Sequence, residues 1–270
     1  MYFPDRALAP GLREQYEAKL ALALKPQTAS TVNTVKHGND NSFAADFCFA
    51  PLHHFGIFAS YRGLNHRYIV DNDSSTLANV YGGDFYGHRW EGGAGYFGDF
   101  KEGNGYFEAY AGYGNGSISR RSGNSPYKDY DARYHRYFVQ AGLGGSFRDW
   151  LNFSGGLRFA FQRYYNFSSP LGFDSLRYFV AQDADGVTDV TSKTTGFIEP
   201  YINFEAGYKW AKFNIQWGLS AQTFGPNVIG HVPAYISVGL AFHFSPRYFR
   251  PEPVRERKRP KRIRYRKGTY

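Results

Sequence analysis

The chain holds one cysteine in 270 residues. Cys48 therefore has no intrachain disulfide partner, and no cysteine-based metal set exists. Methionine also occurs once. No apolar run reaches the ~18 residues that a membrane-spanning helix needs. Met1 is followed directly by Tyr2, Phe3, Pro4 and Asp5 without an apolar targeting region, so an exported form is expected to be a mature or trimmed chain. Neither G-x-S-x-G nor H-E-x-x-H occurs, which leaves no serine elbow and no zinc-protease helix. Net charge is missing from most of the chain. Of 32 basic and 23 acidic residues, eleven and two fall in 247–270, which leaves 21 of each over residues 1–246. The overall +9 belongs to a tail, and a basic surface for nucleic acid is not expected.

What is abundant is aromatic and small. Phe, Tyr and Trp make up 19% of the chain, and there are 31 glycines. This favours strands with close backbone approach over helices. Residues 235–244, YISVGLAFHF, show the pattern most clearly. Ile236, Val238, Leu240, Phe242 and Phe244 alternate with Ser237, Gly239, Ala241 and His243, a period of two. The same alternation recurs. Phe213, Ile215, Trp217 and Leu219 oppose Asn214, Gln216, Gly218 and Ser220; Leu157, Phe159 and Phe161 oppose Gly156, Arg158 and Gln162; Leu20, Leu22 and Leu24 oppose Glu17 and Lys19.

Ten strands are expected, over about 16–25, 43–50, 54–63, 86–99, 105–117, 132–147, 150–165, 196–210, 212–223 and 234–245. Short connectors near 51–53, 98–104, 148–149 and 211 alternate with long ones at 26–42, 64–85, 118–131, 166–195 and 224–233. An even strand number with this alternation is the layout of an all-β, antiparallel, up-and-down transmembrane barrel. The expected domains are a periplasmic lead at 1–14, the barrel at 15–245 and a disordered basic tail at 246–270. A mean hydropathy of −0.52 does not conflict with this, because a spanning strand shows lipid only every second residue.

The apolar stripe is expected to face lipid. The opposite stripe is rich in Gly and Ser, which suits a crowded interior, and Trp90, Tyr96, Tyr137, Tyr164, Tyr208 and Trp210 fit interfacial girdles. Glu17, Lys19, Asp46, Arg62, Arg89, Glu91, Glu108, Arg136, Arg158, Glu199, Glu205 and Lys209 then point into the lumen. Six acids and six bases can pair there, and ten strands leave little space beyond side chains. A packed, salt-bridged interior is expected rather than a wide pore.

The aromatic Phe244, with Phe242, closing an alternating last strand resembles the assembly signal of outer-membrane barrels. The layout over 15–245 resembles small outer-membrane barrels of the OmpA/OmpX type, with two strands more. In that class the aromatic is often the final residue, whereas 26 residues follow Phe244 here. The opening stretch, 2–17, resembles the segment after the acylated cysteine of barrel-type outer-membrane lipoproteins, although that cysteine is absent. The resemblance implies the outer membrane of a Gram-negative bacterium, with periplasmic termini.

Other motifs carry less. Asp183, Asp185 and Asp189 have calcium-loop flavour without the distal Glu of a full loop, and read as turn formers. His53 and His54 are adjacent on a turn and cannot easily share a metal. Gly112, Gly114 and Gly116 end a strand but open no helix, so they offer no phosphate site. His88, His135 and His231 lie near rims without a triad partner set. No enzymatic role, cofactor or metal is expected. The tail, with Arg255, Arg257, Lys258, Arg259, Lys261 and Arg262, is expected to be extended. Its expected acceptors are anionic: lipid headgroups, peptidoglycan or an acidic periplasmic protein. The expected function is structural or interaction-based, as a subunit of an envelope complex surrounded by outer-membrane lipids. The alternatives are a narrow channel or transport barrel and a soluble lipid-binding barrel.

Overall fold

The computed structural model describes residues 6–8, 10–25, 35–40, 42–70, 83–100, 105–121, 129–147, 150–168, 182–183, 186–187, 194–225 and 234–246. Ten antiparallel strands form one closed ring. They are β1 (Ala18–Lys25), β2 (Ser42–Leu52), β3 (Phe55–Val70), β4 (Gly83–Phe100), β5 (Gly105–Arg121), β6 (Tyr130–Phe147), β7 (Leu151–Ser168), β8 (Thr194–Gly207), β9 (Ala211–Leu219, resuming as Ala221–Phe224) and β10 (Ala234–Phe244). Val35–Asp40 continues the line of β2 against β3, and Gln182–Asp183 pairs with Gly186–Val187 between β7 and β8. Each barrel strand pairs with its sequence neighbours, and the ring closes where Ala18 meets Phe244 and Leu24 meets Val238. No edge strand is left over among these ten, so the backbone can be satisfied without water.

Connections alternate as the sequence pattern requires. The strand ends joined through 53–54, 101–104, 148–150 and 208–210 gather at one rim, together with the start of β1 and the close of β10. The ends joined through 26–41, 71–82, 122–129, 169–193 and 225–233 gather at the other. Two of the short turns show a local cause. His54 adopts φ 61°, and its ring Nδ1 lies 2.9 Å from the Phe97 carbonyl. At the β8–β9 turn Gly207 has φ 151°, and a Cβ there would lie 2.7 Å from the Ala211 carbonyl. Glycine is therefore required at that position.

The side-chain distribution is inverted relative to a water-soluble barrel. Leu143 is 62% exposed, Phe204 50% and Val139 49%, whereas Arg136 is 0% and Arg158 and Glu199 are 1%. Large apolar groups form the outer wall and ionic groups the interior, which is the arrangement of a membrane-spanning barrel. Trp90, Tyr96, Tyr137, Tyr208 and Trp210 are exposed on that wall or at its rim. Phe244 is exposed on the outer face of β10, beside the partly buried Phe242.

Three expectations are corrected. Tyr164 is buried inside, because it has the parity of Arg158 and Gln162 on β7. There it packs with Phe85, Ile118 and Ala132 in an apolar cluster toward the long-connection end. Lys209 is not in the lumen: β8 ends at Gly207, Lys209 sits exposed on the turn, and Lys212 takes the inward position on β9. The expected lead at 1–14 is not outside the barrel over its described part. Arg6, Ala7, Leu8 and Leu12 are buried within the lumen. Strands β3 to β7 run 16 to 18 residues, against the roughly 9–11 that cross a bilayer, so the wall stands taller over this arc.

Candidate functional site in the barrel lumen

The inward stripes of ten strands meet in a space that fills with polar side chains. Among the described residues, seven buried cations (Arg6, Lys19, Arg62, Arg89, Arg136, Arg158, Lys212) face six buried carboxylates (Glu17, Asp46, Glu91, Glu108, Glu199, Glu205). An unpaired charge in such a place costs several kcal/mol. The groups accordingly collect into clusters.

The first cluster lies in the half nearer the long connections. Glu91 Oε2 is 2.7 Å from Arg158 Nη2, and its Oε1 is 3.2 Å from Arg89 Nε and 3.4 Å from Arg136 Nε. Glu199 Oε2 meets Arg136 Nη2 at 2.7 Å and Arg158 Nε at 3.8 Å. These five residues come from β4, β6, β7 and β8, so the cluster bridges the lumen from wall to wall. The Arg158 guanidinium also lies 3.7 Å from the Phe138 ring centroid, a cation–π contact.

The second cluster joins Asp46 to Arg62 at 2.6 Å and to Arg6 at 3.7 Å. The third sits near the short turns. Lys19 Nζ and His243 Nε2 reach Glu205 at 2.5 and 2.9 Å, while Asn152 and Asn214 donate to the same carboxylate at 3.2 Å. Glu17 belongs to the entry turn, where it accepts the Arg13 and Glu14 amides at 2.7 and 3.3 Å. Glu108 accepts the Gly11 amide at 3.1 Å. Eleven of the twelve residues expected in the lumen are thus buried there, and Lys209 is not.

Residues 6–8 and 10–12 thread the middle of this space. Tyr16 is fixed at the short-turn end through its amide to the Ala50 carbonyl at 2.7 Å. From there the chain runs inward past Glu108, Gln140 and Gln216 to Asp46. Leu8 and Leu12 pack with Phe58, Phe97, Tyr110 and Phe138 in an apolar cluster inside the barrel. The lumen is therefore filled by the chain's own N-terminal segment in one half and bridged by the arginine–glutamate cluster in the other.

Two buried charges, Arg6 and Lys212, are not among the residues expected in the lumen. Lys212, His243 and Gln216 carry the parity signal of the inward stripe. Arg6 carries none, because nothing periodic leads into it.

The rim histidines are accounted for by neighbours. His135 stacks on Tyr165 and bonds Tyr113 Oη at 2.6 Å, and His88 contacts Ser117 Oγ at 3.1 Å. His231, the aspartates at 185 and 189, and all six tail cations lie outside the described residues. Among the described residues no group of three His, Cys, Asp or Glu side chains could hold a metal ion.

No protein-family model matches this chain, and no curated protein matches it. Three solved structures illustrate what it is similar to. The translocator domain of the autotransporter NalP from Neisseria meningitidis aligns over 86% of this chain and 90% of its own, at 11% identity and a TM-score of 0.45. The COG4313 outer membrane channel from Pseudomonas putida F1 aligns over 90% and 100%, at 9% identity and 0.38. Ail, the attachment invasion locus protein of Yersinia pestis, aligns over 85% and 99%, at 10% identity and 0.34. At these identities and scores none of them bears on what this chain does.

Proposed function

We propose that this chain is a non-enzymatic barrel of a Gram-negative outer membrane, closed to diffusion and serving a structural or interaction role in an envelope assembly. The observation that carries the reading is the filled lumen. Residues 6–8 and 10–12 occupy one half, and the Glu91–Glu199 cluster ties four strands together across the other. A barrel built to pass solutes would leave that path open.

The outer membrane is favoured because closed barrels with an apolar outer band and polar interior are the spanning form used there. The clustering of short turns and both barrel ends at one rim favours a periplasmic position for that rim. The long connections, and the taller arc of β3 to β7, then face outward as the contact surface. The basic residues Arg255, Arg257, Lys258, Arg259, Lys261 and Arg262 would emerge on the periplasmic side, where their charge suits peptidoglycan carboxylates or an acidic protein.

Planar-bilayer recording of the purified, heat-modifiable protein tests the central reading. No steady conductance is expected, and ohmic single-channel steps in the unaltered chain would replace it with a narrow channel. Deleting 247–270 should leave the barrel folded and abolish salt-sensitive retention on peptidoglycan or a periplasmic partner. Unchanged retention at the same salt removes the tail from the proposal.

A further inference from the structure

The lumen holds Arg6, Ala7, Leu8 and Gly11 mainly through their main chain. Arg62 Nη2 donates to the Arg6 carbonyl at 3.2 Å. The Ala7 amide donates to Tyr235 Oη at 3.0 Å, while Gln216 Nε2 donates to the Ala7 carbonyl at 3.0 Å. Gln140 Nε2 donates to the Leu8 carbonyl, and Glu108 accepts from the Gly11 amide at 3.1 Å. These groups stand on β3, β10, β9, β6 and β5, so the segment is clasped from around the ring. Side-chain selection is narrow. Arg6 meets Asp46, Ala7 is sealed, and Leu8 and Leu12 enter the aromatic cluster.

The barrel itself does not need this segment for closure. Ala18 already pairs with both Phe244 and Phe49, and every strand of the ring has its two neighbours without residues 6–16. The segment leaves the lumen at the short-turn rim, where Arg13 meets Ser146 and the Tyr106 ring, Ser245 donates to Glu14, Gln15 Nε2 donates to the Pro51 carbonyl at 3.1 Å, and the turn at 14–16 leaves Tyr16 63% exposed. Main-chain hydrogen bonds that give hold, with side-chain pockets that give selectivity, are the elements of a peptide-binding site, here filled by a segment of its own chain.

We propose that the lumen is a site for an extended peptide, entered from the short-turn rim and occupied in this structure by residues 6–8 and 10–12. Its ligand is a segment with a cationic residue, a small residue next to it, and leucines one and five positions after the small one. The segment can leave and be replaced by another of the same chemistry. This goes beyond the structural role above, because it gives the closed lumen a binding specificity.

The test uses the full chain with a protease site inserted between Gln15 and Tyr16. After folding and cleavage, residues 1–15 remain bound without a covalent link. A fluorescently labelled synthetic peptide of residues 1–15 is then added in excess and its anisotropy followed. The cut protein should take up label saturably and the uncut protein should not. A peptide with Ala7→Trp should bind at least about tenfold more weakly, and so should the unaltered peptide to barrels carrying Gln216→Leu with Tyr235→Phe. A cut, heat-modifiable barrel that never exchanges overturns the proposal, as does equal uptake of a scrambled peptide. If the insertion prevents folding, the uncut chain with Ala7→Trp, whose segment cannot seat, takes its place. Uptake of label by that barrel supports the site, and a folded barrel without uptake overturns it.

Discussion

Replacing Glu91 by Gln removes one of two carboxylates that three arginines share. In the native lumen Arg89, Arg136 and Arg158 face Glu91 and Glu199, a local net charge of +1 at side chains 0–4% exposed. Glu91→Gln raises that to +2 and leaves Glu199 to serve Arg136 at 2.7 Å and Arg158 at 3.8 Å. Removing one partner of a buried pair costs about 3–5 kcal/mol. The amide keeps the shape and one acceptor oxygen, so about 3 kcal/mol is expected. That is roughly a hundredfold shift in the folded to unfolded ratio. The double variant Glu91→Gln with Arg158→Gln restores a net of +1 and should be less destabilised than the sum of the two single changes, by about 1–3 kcal/mol.

Urea titration of vesicle-reconstituted protein, read by heat-modifiable migration and tryptophan fluorescence, measures these differences. The exposed pair between Arg121 and Asp131, at 2.8 Å and about half exposed, is the internal control. Asp131→Asn should cost no more than about 1 kcal/mol. If Glu91→Gln falls in that same range, or if the double variant is additive within ~0.5 kcal/mol, the cluster is hydrated and does not brace the barrel.

Other outcomes follow from the same geometry. Ile215, 40% exposed on β9, faces the lipid side, and Ile215→Arg should destabilise membrane insertion by about 2–4 kcal/mol in a vesicle-folding assay, an unaffected yield placing that stripe in water. Gly142 faces Tyr201, and a Cβ there would stand 2.8 Å from its hydroxyl and 3.3 Å from Glu108 Oε1, so Gly142→Val should cost about 1–3 kcal/mol by the same titration. Lys209→Gln should be neutral within about 0.5 kcal/mol while Lys212→Gln, at a 2% exposed position, should be clearly destabilising; equal effects would contradict a chain reversal between the two lysines.

The barrel is legible because its signal is written in a period of two and repeated ten times. Ambiguity between helix and strand does not arise when Phe213, Ile215, Trp217 and Leu219 are spaced by Asn214, Gln216 and Gly218. Parity also finds eleven inward charges. It fails where the period is broken by a turn. Gly207 ends β8 two residues before Lys209, so counting from Glu205 carries the inward phase past a reversal of the chain. The aromatic girdle fails at Tyr164 for the opposite reason. Residue type suggests an interface, while its position after Arg158 and Gln162 requires the interior.

The N-terminal segment escapes for a deeper reason. Residues 6–12 read RALAPGL, without alternation, and Pro10 and Gly11 break any regular element. Their partners bind carbonyls and amides, which nearly every residue has, so the contacts leave little trace in side-chain identity. What does leave a trace is on the other side of the contact. Gln140, Gln216 and Tyr235 are large polar groups on inward stripes otherwise thinned by Gly142, Gly156, Gly218 and Gly239. An interior that alternates long donors with residues lacking side chains is shaped to surround something. Asp46 adds to this, since its carboxylate on the β2 wall takes Arg6 from the segment as well as Arg62 from β3. The occupant of the lumen is thus easier to read from the wall than from the segment, whose own side-chain determinants are confined to Arg6, Ala7, Leu8 and Leu12.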